Sequence, residues 1–172
     1  MSATHASSSS HPVRAITWLW LALIIGVAVA GSLWWVQQNV LLVGRDSAGH
    51  LEQSVLVQQA LAGGGSGNVV QNLFRAVTLD DYRPPALYLL TQIAYAIFGQ
   101  SMDAAQYTNI ALLAFLLLLT FLLARTVLSD GWALVATALT ALLPMVAAMS
   151  RLYYMENLLT VAVVLNLLAL LK

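Results

Sequence analysis

An all-α, polytopic membrane fold is predicted by three features of the sequence. Hydrophobic residues make up 60% of the chain and charged residues only 8%, whereas a soluble domain carries roughly a quarter of its residues as charged side chains. The apolar residues gather into long runs at 15–36, 104–124, 132–149 and 152–171, each of roughly the 17–25 residues that a bilayer core demands. Backbone N–H and C=O groups in lipid must be paired within the segment, which makes such runs helices. The formal net charge of +0 gives no electrostatic footprint for a nucleic-acid partner. Cysteine is absent, so neither disulfides nor thiolate metal sites can staple the loops.

Residues 1–13, rich in Ser and His, carry too little apolar surface to fold. They are expected to form a disordered cytoplasmic tail ahead of a single membrane unit, 14–172. The first apolar run admits two readings. Arg14, the stretch from Ile16 to Val27 and Ala28-Val29-Ala30 follow the layout of a cleavable signal peptide. The run continues, however, through Leu33-Trp34-Trp35-Val36, reaching spanning length with an interfacial tryptophan pair, which favours a retained anchor.

Just past that run stands a polar cluster, Gly44-Arg45-Asp46-Ser47-Ala48-Gly49-His50, where the chain meets the membrane surface. A surface helix is expected at 47–62, with Leu51, Val55 and Leu56 opposing Glu52, Gln53, Gln58 and Gln59. Asp46 would serve as its cap. The run Gly63-Gly64-Gly65-Ser66-Gly67 breaks it. Without a strand before it and a helix after it, this run reads as a flexible linker rather than a phosphate cradle.

Residues 85–98 decide the topology, because they are apolar but only about 14 in number, short of a span. Ala86, Leu89, Leu90, Ile93, Ala94 and Ile97 fall on one helical face and Tyr88, Gln92 and Tyr95 on the other. A helix lying flat on the membrane is expected. Four crossings then put Arg14, the 125–130 turn and Lys172 on one side, which the positive-inside rule makes cytoplasmic. Asp46, Asp80, Asp81, Arg83, Arg151 and Glu156 share the outer side. If 85–98 crossed instead, Arg151 and Glu156 would move to the face opposite Asp46.

The outer side collects four arginines, Arg45, Arg75, Arg83 and Arg151. Guanidinium groups fork onto phosphate oxygens, so they could hold an anionic lipid head group or simply snorkel to ordinary phospholipid. Glu156, at the mouth of a spanning run, is expensive unless paired or functional, and Arg151 is its nearest basic neighbour in sequence. Asn109, Asn157 and Asn166 are expected to make interhelical hydrogen bonds. Pro144 is expected to kink its helix, and Trp132 to mark an interface.

The order of these parts resembles the N-terminal part of a GT-C membrane glycosyltransferase, from about Ile16 onward. Within that fold it is most similar to the protein O-mannosyltransferase and lipid A aminoarabinose transferase group. Asp46 matches the first acid of the group's outer-loop acidic pair, with Ser47 where the second acid stands and His50 near its aromatic residue. Arg83-Pro84-Pro85 matches the basic-Pro element that opens the second surface helix, and Glu156 matches a later acid. The resemblance implies transfer of a sugar from a polyprenyl phosphate to an acceptor hydroxyl at the outer face of a bacterial plasma membrane, with the N-terminus cytoplasmic. Asp46 would be the base and Glu156 the second catalytic acid, while Arg83, Arg151 and Arg45 hold the lipid phosphate. A divalent cation, if used, would sit at Asp46 and His50; Asp80-Asp81 is a second metal or acceptor site, or a solvated pair.

Enzymes of this group are several times longer. The chain is therefore expected to be an incomplete portion, inactive alone and dependent on further C-terminal helices or a partner chain. The competing reading is a non-enzymatic small membrane protein, an assembly subunit or transporter fragment, whose outer acids and arginines pair with each other. The two diverge on whether Asp46 and Glu156 face one outer cavity.

Overall fold

The computed structural model of the chain describes residues 11–39, 45–63, 68–79 and 82–171. Most of the expected tail, residues 64–67 of the glycine run, the Asp80-Asp81 pair and the Arg45 side chain lie outside the described residues. The described residues form eight helices and no strand: α1 (His11–Gln38), α2 (Arg45–Leu61), α3 (Val69–Val77), α4 (Ala86–Phe98), α5 (Met102–Ala124), α6 (Asp130–Leu142), α7 (Pro144–Arg151) and α8 (Glu156–Leu170).

α5 is the axis, with α1, α4, α6, α7 and α8 all packed on it. Side-chain pairings fix the directions. At one end Trp18 of α1 meets Phe121 of α5 edge to face at 5.6 Å, and Leu21, Phe121 and Ala133 of α6 share a buried cluster. The turn from α5 to α6 at that end is closed by an Arg125–Asp130 ion pair of 2.8 Å. At the other end the Arg151 guanidinium lies 5.9 Å over the Trp35 ring, and Asn109 bonds the segment joining α7 to α8. Thus α1 and α6 run one way and α5 and α8 the other.

Among the described residues two helices are long and apolar enough to cross a membrane, Ala15–Gln38 with 24 residues and Met102–Ala124 with 23, and a third span arises if α6 and α7 are counted together. The outward face of α1, with Leu19, Trp20, Leu23, Val27 and Trp34 exposed, has the apolar surface a bilayer accepts. Four spans were expected; the structure has two to three of spanning size. The difference has two local causes. The expected helix at 132–149 breaks at Leu143, and α6 and α7 meet at 60°, because Pro144 lacks the N–H that a continuous helix needs. The expected helix at 152–171 begins only at Glu156 and keeps 15 residues.

The missing first turn of α8 is accounted for by Asn109. Its side-chain amide, fully buried in α5, donates to the Leu152 carbonyl and to the Tyr154 carbonyl at 2.9 Å. Asn157 adds a bond to Ser150 Oγ at 3.0 Å. These asparagines join helices as expected. Asn166 does not: it is exposed and donates to its own helix at Ala162 O, 2.8 Å away.

Two further boundaries have legible causes. α4 stops at Gly99, whose φ of +80° is a conformation that glycine adopts without Cβ strain. Ser101 then caps α5 by accepting from the Ala104 N–H at 3.1 Å. α3, which was not expected, starts with a reciprocal capping box between Asn68 and Gln71, with bonds of 3.0 and 3.2 Å.

Replacing Asn109 by Leu strands the Leu152 and Tyr154 carbonyls, and each orphaned group costs about 1–3 kcal/mol. Unfolding in detergent micelles should therefore show a marked loss for Asn109→Leu and almost none for Asn166→Leu.

Candidate functional site

The end of the bundle that carries α2, α4 and the α7–α8 junction concentrates the buried polar side chains. α2 buries Ser47, His50, Ser54 and Val57, residues spaced to share one helical face. The buried face is turned from the expected one: Glu52 and Gln59 are exposed as expected, but Leu51 and Val55 are only partly buried and Leu56 is 39% exposed. The reason is the face that α4 presents. Leu87, Tyr88, Thr91, Ala94 and Tyr95 are buried, while Ile93 and Ile97 point outward, more than half exposed. The two-sided pattern of α4 is real, but its polar side meets protein and not water.

The hydroxyls at this interface have fixed donor directions. Ser54 Oγ donates to Leu51 O at 2.7 Å, so it can only accept from Tyr95 Oη, also at 2.7 Å. Thr91 Oγ1 donates to Leu87 O at 2.9 Å and therefore accepts from Tyr153 Oη at 2.6 Å. His50 Nδ1 is 2.8 Å from Tyr88 Oη, and its ring is enclosed by Tyr88, Tyr153 and Tyr154, with centroids 5.9, 6.4 and 5.9 Å away. The Gln92 amide donates to Ser54 O at 3.1 Å and Tyr88 O at 2.7 Å, stapling α4 to α2. Burial pushes the Tyr153 and Tyr95 hydroxyls above the ordinary range, and their bonds to Thr91 and Ser54 oppose that shift without cancelling it.

Arg83 reaches this assembly from the segment before α4. Its Nη1 and Nη2 lie 3.1 and 3.3 Å from where a Cβ on Gly49 would stand. The absence of a side chain at Gly49 lets the guanidinium lie against α2. Asp46 is one turn earlier on the same helix, exposed in its first turn, where the positive end of the helix dipole favours a carboxylate. α2 begins at Arg45, so Asp46 is inside the helix and is not its cap. Arg151 is half-buried, and its Nε is enclosed without a hydrogen-bond partner.

Glu156 occupies a different niche. It lies at the start of α8 and, with Leu116, Met145, Val146, Met149 and Asn157, borders a groove of about 300 Å³ between α5, α7 and α8. No α2 residue lines that groove. Arg151 and Glu156 form no ion pair; among the described residues Arg125–Asp130 is the one shown. No group of three or more His, Asp or Glu side chains converges among the described residues, and the Nδ1 of His50 is engaged by Tyr88.

Of the sequence candidates, the structure therefore gathers Asp46, His50 and Arg83 along α2, puts Arg151 on Trp35, and leaves Glu156 in a side groove. The residues that build the scaffold, Ser54, Thr91 and Tyr153, were not singled out. The spacing Tyr88–Thr91–Tyr95 at i, i+3, i+7, matched by His50–Ser54 at i, i+4, was the available signal.

A neutral hydroxyl favoured by folding contributes stability that is complete below the ordinary tyrosine value of 10.0 and is lost as pH rises through the raised folded values. Ultraviolet titration should therefore show part of the tyrosine signal appearing only together with alkaline unfolding. Tyr153→Phe should remove some of that late signal and cost about 1 kcal/mol of stability.

Compared with known proteins, the chain matches no protein family, no curated protein and no solved structure.

Proposed function

We propose that the chain is the N-terminal portion of a membrane glycosyltransferase that takes a sugar from a polyprenyl phosphate and transfers it to an acceptor hydroxyl at the outer membrane face. The observation that carries this reading is the Arg83 guanidinium laid on the bare backbone of Gly49, one turn from the exposed carboxylate of Asp46. A phosphate-binding cation and a basic oxygen are thereby offered from adjacent turns. Arg151 is a second guanidinium at the same end of the bundle, packed over Trp35 with its Nε enclosed.

In the reaction, Asp46 takes the proton of the acceptor hydroxyl as that oxygen bonds to the anomeric carbon. The bond from the anomeric carbon to the phosphate oxygen breaks, its electron pair leaves with the lipid phosphate, and Arg83 and Arg151 meet the resulting charge. Glu156 has no part in this scheme, because its groove takes no residue from α2. That separation favours the second reading, a non-enzymatic membrane subunit in which the polar end is structural.

Binding separates the two readings. With the chain in lipid nanodiscs, a short-chain polyprenyl phosphate should bind more tightly than the polyprenol of equal length, and less so at high salt. Arg83→Gln and Arg151→Gln should each weaken it roughly tenfold. Gly49→Ala should weaken it too while preserving thermal stability, since alanine is favoured in a helix by about 1 kcal/mol and the atoms it meets are the flexible end of Arg83. Equal binding of alcohol and phosphate would remove the transferase reading. In any transfer-competent form, Asp46→Asn should abolish sugar transfer while leaving membrane insertion intact.

A further inference from the structure

α3 packs on α2 by the side that carries its two buried residues, Asn72 and Ala76, and Ala76 shares a buried cluster with Val57 of α2. The rest of its circumference is open. At about 100° per residue, Val69, Val70, Leu73, Phe74 and Val77 fall on one face and Gln71 and Arg75 on the opposite one. All of them are exposed. Val69, Val70 and Phe74 are the most open, at 83%, 73% and 69%, and Leu79 and Tyr82 extend the exposed apolar surface past the end of the helix.

In water this helix would be better turned over. Its apolar side chains would gain by facing α2, and Asn72 by facing solvent. Instead the Asn72 amide oxygen is enclosed without a hydrogen-bond partner, and the apolar side points away from the protein. The Asn68–Gln71 capping box fixes where the helix starts, but not which side it shows. An apolar face of this kind, left uncovered beside a misplaced amide, is stable only where the medium outside it is apolar too.

Two features make that medium lipid. α1 and α5 are of membrane-spanning size, so a bilayer stands beside the chain. In addition, Gln71 and Arg75 stay exposed opposite the apolar face, and the helix contains no carboxylate for a phosphate layer to repel. One face apolar and the opposite face polar and cationic is the layout of a helix lying in the plane of a membrane surface. Arg75 also borders one shallow hollow with Val70 and Phe74, so a lipid whose chain lies on those two side chains brings its phosphate within reach of the guanidinium. We propose that α3 is an in-plane anchor, laying Val69, Val70, Leu73, Phe74 and Val77 among the acyl chains of a phospholipid surface with Arg75 towards the head groups. The proposal does not rest on the transferase reading.

The absence of cysteine provides the test. Single-cysteine variants Val70→Cys, Phe74→Cys and Arg75→Cys of the whole chain are labelled with a nitroxide and reconstituted one chain per nanodisc in phosphatidylcholine and phosphatidylglycerol. Collision of each label is measured with oxygen, which concentrates in lipid, and with a water-soluble nickel chelate, which lipid excludes. The oxygen-to-nickel ratio should be severalfold higher at positions 70 and 74 than at 75. These side chains are exposed, so the substitutions leave the packing on α2 intact. Labels at 70 and 74 shielded from both reagents would show that protein covers the face. Free access of nickel to them would show that water does. Either result, or equal ratios at 70, 74 and 75, would overturn the proposal.

Discussion

The side-chain amide of Asn109 organises the fold. In a bundle surrounded by lipid, every backbone carbonyl released by a helix break must find a donor inside the protein. The chain breaks twice in close succession, at Leu143 and again between Arg151 and Glu156. The second break is tolerated because Asn109 bonds the Leu152 and Tyr154 carbonyls. Once that segment is pinned, Tyr153 can enter the interface beside α4, and Arg151 is directed back onto Trp35. α8 is free to begin alongside the middle of α5 and not at its end.

The second organising constraint is the burial of hydroxyl-bearing faces between α2 and α4. A flat amphipathic helix in isolation would show its hydroxyls to water. Here two such helices spend their polar faces on each other and on Tyr153, leaving Ile93 and Ile97 of α4 outward. This gives the α2–α4 end a hydrogen-bonded floor beside Asp46 and Arg83. Such anchoring matters for the transferase reading, because a phosphate site built from long flexible side chains is useful only if their anchoring backbone is held.

Much of this was legible in the amino-acid order. The runs at 15–36 and 104–124 became α1 and α5 nearly as drawn, and Pro144 marked its break. Asn109 and Asn157 joined helices as amides in apolar runs are expected to do. The exposed Glu52 and Gln59 of α2 were read correctly, but its buried face was not, because its leucines and valines were weighed without knowing that the facing helix offered hydroxyls; burial there is decided by hydrogen-bond complementarity, which one sequence segment does not contain. The start of α8 was misread for a similar reason, since Leu152–Met155 is apolar enough for a helix and is held out of it by a residue 43 positions away. The pairing of Glu156 with Arg151, natural from their spacing, fails because a stacked tryptophan claims the arginine.

The hydroxyl chains at the α2–α4 end carry one more consequence. Each runs from a tyrosine through a serine or threonine and stops at a backbone carbonyl: Tyr95 to Ser54 to Leu51, and Tyr153 to Thr91 to Leu87. A carbonyl at the end of such a line accepts a hydrogen bond but has no proton of its own to pass on. These chains are therefore insulators and not proton wires. A proton captured by Asp46 would have to leave through bulk water, and the floor beneath it would stay electrically silent while charge moved above.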